Sequence, residues 1–270
     1  MAAKNFNFNP EYYDLQVNWD KRMRKERNFF EDIFKKREIK KVLEIGSGTG
    51  HHAELFAEYA QEVTAIDQDQ DMINYARKNV VKSGNVRLFQ KGFKDIDSLP
   101  PGEFDLITSL GNTLPLLGDK KKIKHALKSI KRRLSEKGLV VLQFLNFSSV
   151  IINENSYYPP KVFRKDGLNY VFIKHFQYGK QRTRVDFIIT RLEGKKVDDF
   201  FVNSSYLATL KVNAFKSMAG NVGFKKIEFL GTNGSEKFNP KKHISLYAML
   251  EKGGQMDKLK RFSDSIEKTT

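Results

Sequence analysis

The chain has 270 residues, 40% hydrophobic and 30% charged, with no cysteine and a net charge of +16. Without cysteine there are no disulfides, thiolate metal sites or cysteine nucleophiles, and no apolar run reaches the ~18 residues that span a bilayer. Met1 to Asn7 carries no apolar signal-peptide core, so the expected location is the cytoplasm. The positive charge fits either a nucleic-acid surface or a solvated lysine-rich one. Its lysines are scattered (Lys35-Lys36, Lys120 to Lys122, Lys195-Lys196, Lys241-Lys242) with no interleaved aromatic stripe, which favours the solvated surface.

In chain order, residues 10–37 read as one helix, with Trp19, Met23, Phe29, Phe30, Ile33 and Phe34 at helical spacing. Lys41 to Ile45 is a first strand, His52 to Tyr59 a helix, and Glu62 to Ile66 a second strand ending at Asp67. Asp69 is placed to cap a helix from Asp71 to Val81. Val86 to Phe89 and Phe104 to Thr108 follow as strands. Lys120 to Leu134 is an amphipathic helix, with Gly138 as its terminating signal, and Leu139 to Leu145 is a buried fifth strand. Strands alternating with helices imply a doubly wound, mostly parallel sheet. Residues 168–178, 183–192 and 197–209 then alternate apolar and polar, as a three-stranded antiparallel insertion. A helix from Val212 to Ala219 and strands Val222 to Leu230 and His243 to Leu250 close the core, and Gly253-Gly254 sets off a tail.

The segment Val42-Leu-Glu-Ile-Gly46-Ser-Gly48-Thr-Gly50 joins a buried strand to a helix through three alternate glycines. Such a turn lets a ligand approach the main chain at a helix N-terminus. The spacing is not the G-x-G-x-x-G of dinucleotide folds. Asp67, 17 residues after Gly50, sits where an acid accepts bonds from ribose hydroxyls, or serves as a turn residue. Met72 lies beside an adenine or is plain core. His51 and His52 are adjacent, and His125, His175 and His243 are isolated, so no metal site is expected. Phosphate-loop and nucleophile-elbow motifs are absent.

An acid followed by G-x-G-x-G resembles the first motif of class I S-adenosylmethionine-dependent methyltransferases. Three segments narrow the resemblance to the glycine and sarcosine N-methyltransferase group: Tyr12-Tyr13 to Glu26, Phe104 to Leu110-Gly111-Asn112-Thr113, and Gln143-Phe-Leu-Asn146-Phe147. The resemblance implies that S-adenosyl-L-methionine is the cofactor. Glu44 and the turn Gly46, Ser47, Gly48 and Gly50 would hold its methionine part. Asp67 would serve the ribose, and Gln68, Leu110 and Gly111 would also contact the cofactor. Arg22 would pair with the cofactor carboxylate as a bidentate fork, with Arg24 and Arg27 as rivals.

Asn112 would bond cofactor or substrate. Asn146 either faces the same crevice or forms a turn. Tyr12 or Tyr13 would cap the methyl region, or simply anchor the leader. Phe93 stands at or beside the position where many such enzymes carry an acid for adenine, which leaves adenine to main-chain groups and packing. Arg164, Arg182, Arg184 and Arg191 all compete as partner for a substrate carboxylate.

The implied organisation is a helical leader closing the site (1–37), a cofactor-binding core (38–150 and 210–251), an antiparallel substrate lid (151–209) and a tail (252–270). The expected reaction is methylation of a small amine, with O- or S-methylation, or RNA modification suggested by the charge, as alternatives. The expected partner is a small molecule. Nucleic acid is the less favoured partner, and no membrane is expected.

Overall fold

The computed structural model describes residues 10–148, 157–232 and 234–253, so the expected tail lies almost wholly outside the described residues. A seven-stranded sheet forms the centre. Its strands are β1 (Lys41–Ile45), β2 (Glu62–Asp67), β3 (Val86–Gln90), β4 (Phe104–Ser109), β5 (Leu134–Leu145), β10 (Lys226–Leu230) and β11 (Ser245–Glu251). They lie in the order β10-β11-β5-β4-β1-β2-β3. β1 to β5 pair in parallel, and β11 enters antiparallel between β5 and β10.

Side chains alternate across a strand, so each strand feeds two cores. Leu43, Ile45, Ile107, Val140, Leu142, Leu246 and Ala248 pack on one side, against helix α5 (Lys120–Arg133) and helix α6 (Val212–Val222). Val42, Leu106, Leu139, Val141, Tyr247 and Met249 face the other side, against helix α2 (Trp19–Lys36) and helix α3 (His51–Ala57). By the same alternation Glu44, between Leu43 and Ile45, and Gln143, between Leu142 and Phe144, fall on the α2 side. Those two polar residues, with Thr108 in register beside Glu44, interrupt the apolar face, and the site grows around them.

Several boundaries differ from expectation. Helix α6 runs on to Val222, so the strand expected from Val222 starts only at Lys226. The first helix is two: α1 (Pro10–Gln16) and α2, separated where the Asn18 side chain accepts from Lys21 N at 3.0 Å and starts a new helix. Gly138 does not end α5. That helix stops at Arg133, and Gly138 lies inside β5, whose start pairs Leu134 with Phe104 across a register shift. The helix after Asp69 is α-helical only over α4 (Gln70–Tyr75) and becomes a π-turn over Ala76–Val80; Asp69 caps it as expected. The insertion has four strands rather than three: β6 (Lys161–Lys165), β7 (Leu168–Gln177), β8 (Arg182–Glu193) and β9 (Lys196–Ala208), in sequential antiparallel order. The missed strand β6 is short and basic, and it turns back at Asp166-Gly167, where both residues have positive φ.

Candidate active site

The carboxyl ends of β1, β2 and β4 meet in one crevice, where open parallel sheets bind ligands. The three glycines after β1 all have positive φ, but they do different things. A Cβ on Gly46 would sit 2.2 Å from Thr113 Cγ2, and one on Gly50 would sit 2.9 Å from Val81 Cγ2. These two glycines let the loop after β4 and the π-turn close against the turn. A Cβ on Gly48 would meet only Tyr13, at 3.7 Å from Cε1. Gly48 therefore faces the crevice, and Gly111 (φ 66°) faces it from β4, its nearest neighbour again Tyr13.

Asp67 ends β2 beside this turn. Its Oδ2 accepts from Gly48 N at 2.8 Å and its Oδ1 from Asp69 N at 3.0 Å. The carboxylate thus sets the shape of the glycine turn, and burial raises its pKa against those bonds. Gln68 is exposed beside it, and Met72 is buried in α4. Ser47 is buried with its Oγ unpaired. Leu110 is buried at the end of β4, and its carbonyl accepts from Thr113 Oγ1 at 2.7 Å.

On the α2 side a polar network is sealed beneath the turn. Glu26 Oε2 accepts from Arg22 Nε at 3.0 Å and His52 Nε2 at 2.6 Å, and its Oε1 from Tyr247 OH at 2.5 Å. Burial opposes the charge on Glu26, but His52 and Arg22 outweigh it and hold the carboxyl down to about 2. Burial, then Arg22, lowers the pKa of His52 against the pull of Glu26. Glu44, 1% exposed, has weaker support, from the Ala53 backbone and from His52 Nδ1 at 3.7 Å from its Oε1. Burial pushes its carboxyl up to about 8 against the field of Arg22, and its Oε2 is buried without a partner.

Arg22 reaches out of this network to Gln143 Oε1 at 3.2 Å, and Gly111 N donates to the same oxygen at 2.8 Å. Arg24 is exposed, and Arg27 pairs with Glu58 at 2.5 Å, so Arg22 is the arginine of α2 that the fold brings to the crevice. Gln143 was not singled out from sequence. Its signal was a lone polar residue in the buried run Leu139 to Leu145.

The leader is pinned over the turn by Asp14, likewise unforeseen. Its carboxylate accepts from Thr49 Oγ1 at 2.6 Å and Trp19 Nε1 at 2.8 Å, and lies 3.0 Å from His51 Nε2; Trp19 also stacks on His51. The adjacent tyrosines diverge, as neighbours on a helix must. Tyr12 packs on Tyr170 and Phe201 of the four-stranded sheet, at centroid distances of 5.7 and 5.8 Å. Tyr13 turns the other way, between Gly48 and Gly111, where burial raises its phenol pKa against Arg22.

The two asparagines also separate. Asn112 (φ 72°) sits in the crevice loop, and its Oδ1 accepts from Leu145 N at 3.1 Å, tying β4 to β5. Asn146 is fully buried, and its Nδ2 donates to the carbonyls of Pro240 and His243, both at 2.8 Å. Those bonds anchor the loop before β11, while the Asn146 Oδ1 is buried with no partner among the described residues. Asp95 caps its own turn by accepting from Gly92 N at 2.9 Å, and Phe93 is buried. A cavity of about 500 Å³ between the ends of α5 and α6, lined by Lys128, Lys131 and Lys225 among others, shares no residue with the crevice.

Residues 42–138 match the family model of the methyltransferase domain. The chain is 25% identical over 224 residues to the glycine/sarcosine N-methyltransferase of Halorhodospira halochloris, covering 81% of this chain and 78% of that one. Among solved structures, DesVI of Streptomyces venezuelae superposes with a TM-score of 0.72 at 20% identity, over 90% of this chain and 98% of its own. An amino pentose methyltransferase of Micromonospora echinaspora, solved with S-adenosylmethionine bound, gives 0.70 at 17% identity, over 93% and 99%. These two share the fold. The matched residues 42–138 contain the glycine turn and strands β1 to β4 that build the crevice. The chain carries the methyltransferase domain and is an S-adenosylmethionine-dependent methyltransferase.

Proposed function

We propose that this enzyme methylates the nitrogen of a small amine, enclosed between the leader and the antiparallel sheet. One observation carries the reading: α1 lies across the crevice, with Tyr12 on the four-stranded sheet and Tyr13 on Gly48 and Gly111. Such a roof favours a small acceptor over a polymer. The similarity to a glycine/sarcosine N-methyltransferase over most of both chains supports nitrogen as the accepting atom.

The crevice fits the cofactor on two counts: Gly48 and Gly111 offer backbone a ligand can approach, and Glu44 Oε2 and Ser47 Oγ are buried polar atoms awaiting partners. In this reading the Gly46–Gly50 turn, Ser47 and Glu44 hold the methionine part, with Arg22 and Gln143 at its carboxylate and Leu110 and Gly111 lining the floor. Asp67 and Gln68 take the ribose, and Met72 packs by the adenine. The bound cofactor supplies an electrophilic methyl group on a sulfonium.

The chain's own residues supply enclosure and alignment. Tyr13, with Asn112 nearby in the crevice loop, orients the nucleophile, while Tyr12 braces the leader. Holding acceptor nitrogen and methyl in line removes most of the entropic barrier, and expelling water favours dispersal of the positive charge. An amine bound with a free lone pair needs no strong general base. Residues 161–208 act as lid, and the leader closes the other side.

The test is methyl transfer from labelled cofactor to a panel of small amines, including glycine and sarcosine, beside RNA and protein acceptors. Turnover of a small amine, unaffected by added RNA and moderate salt, is the expected result. Labelling confined to RNA or protein overturns the proposal, since RNA binding through phosphates would be steeply salt-dependent.

A further inference from the structure

Antiparallel strands that meet water on one side alternate apolar and polar residues. The three long strands of the insertion break that rule. Val171-Phe172-Ile173 in β7, Phe187-Ile188-Ile189 in β8 and Phe200-Phe201-Val202 in β9 are apolar at three successive positions. Phe172, Phe187, Ile189 and Phe201 turn inward, to the cluster that takes Tyr12 and Leu15 of the leader. Their alternating neighbours turn outward.

Register joins the outward residues into rows. Ile188 lies between Ile173 and Val202. In the adjoining row Val162 pairs with Val171, Val171 with Thr190, and Thr190 with Phe200. The rows end open to solvent: Val162 is 64% exposed, Phe200 66% and Val202 52%. A contiguous apolar patch of this kind marks an interaction surface.

The polar groups of this face are already satisfied. Asp186 is buried; its Oδ1 accepts from Ser204 Oγ at 2.6 Å and Arg184 Nε at 2.7 Å. Its Oδ2 lies 3.1 Å from His175 Nδ1, and Tyr157 stacks on the His175 ring. The face can therefore lose its water without stranding a charge. No lysine stands at an outward position of β6 to β9, and Arg182 donates to the Gly118 carbonyl, which leaves Arg164 at one corner. In a chain of net charge +16, so neutral a face suits a second copy and offers little to an acidic partner or a nucleic acid.

The area agrees. β7, β8 and β9 have 10, 12 and 13 residues, and β6 has 5. At ~3.3 Å per residue and ~4.8 Å between strands, the sheet offers about 600 Å². Two facing copies bury on the order of 1,200 Å², the size at which specific interfaces begin. Sheets stack ~10 Å apart with their strands within ~30° of each other. A two-fold axis lets one patch serve both partners.

We propose that the outward face of β6 to β9 packs on the same face of a second copy, forming a two-fold dimer. The inward face of each sheet still covers its own crevice, so the two lids brace each other back to back. The dimer does not depend on which acceptor the enzyme methylates.

The test is sedimentation of the full chain over a range of ~1–100 μM. A double variant, Phe200→Lys with Val202→Lys, is compared with Ile244→Lys, which alters an exposed apolar residue outside this sheet. Wild type and I244K should sediment as dimers, and F200K/V202K should dissociate at least ~10-fold more readily. Both variants should keep the wild-type melting temperature at low protein concentration and an S-adenosylhomocysteine affinity within ~2-fold. Raising the salt from ~0.05 to ~0.5 M should tighten the dimer, because screening relieves the repulsion between two positive chains.

A wild type that stays monomeric at ~100 μM overturns the proposal. So does a dimer that is indifferent to F200K/V202K, or one that loosens with salt. A monomer whose Phe200 and Val202 resist hydroxyl-radical footprinting also overturns it, and would give the face to the chain's own segment beyond residue 253.

Discussion

Arg22 Nη2 donates to Gln143 Oε1 at 3.2 Å across 121 residues of sequence. The bond joins the leader helix to the centre of the sheet. Because Gly111 N shares the same acceptor, it also fixes the loop after β4. Gln143→Leu strands both donors, whereas Gln143→Glu keeps an acceptor for each. We expect Q143L to lose about tenfold in cofactor affinity, ~1.4 kcal/mol, and Q143E to lose little. Calorimetry with S-adenosylhomocysteine measures both, and equal affinity in all three proteins would detach this unit from the cofactor.

The glycines of the turn separate by substitution. Gly46→Ala drives a Cβ to 2.2 Å from Thr113 Cγ2 and should lower the melting temperature markedly. Gly48→Ala meets nothing closer than Tyr13 at 3.7 Å and carries a left-handed strain of ~1–2 kcal/mol. It should stay folded while cofactor affinity falls more than tenfold. Thermal unfolding and calorimetry on the two variants decide. A folded G48A with wild-type affinity would move the cofactor away from this backbone.

Glu26 joins Arg22, His52 and Tyr247 in the sealed network. Glu26→Ala leaves an uncompensated buried cation and should cost ~3–5 kcal/mol of stability, read by urea denaturation. The folded pKa, about 2, lies below the ordinary 4.5. Its contribution is therefore full above pH 4.5 and is lost as the pH falls towards 2. A loss under 1 kcal/mol at neutral pH would show that water enters the network.

Glu44 has the opposite sign. Its folded pKa, about 8, lies above the ordinary 4.5, so the neutral carboxyl is the favoured form. The contribution is full below pH 4.5 and is lost as the pH rises through 8. Glu44→Gln should therefore match wild type near pH ~5 in the cofactor-free protein and melt at a higher temperature near pH ~8. Equal differences at the two pH values would mean that Glu44 is charged in the fold.

How much of this was legible beforehand varies with the range of the interaction. Strand β1, the helix cap at Asp69 and the order of strands and helices follow from local periodicity and turn chemistry, which a few neighbouring residues encode. The split at Asn18 and the extra strand β6 went unread, because one side-chain cap and one short basic strand leave weak local patterns. The glycine motif announced the crevice and the class of cofactor, while the division of labour among its glycines depended on where Thr113, Val81 and Tyr13 come to lie.

The resemblance named Asn146 and Tyr12 beside Asn112 and Tyr13. Packing separated them, sending Asn146 to the loop at Pro240 and Tyr12 to the insertion. Gln143 looked ordinary along the chain, one polar residue in a buried strand. It acquired its meaning from strand register and from the approach of the distant helix α2, and a linear pattern carries neither.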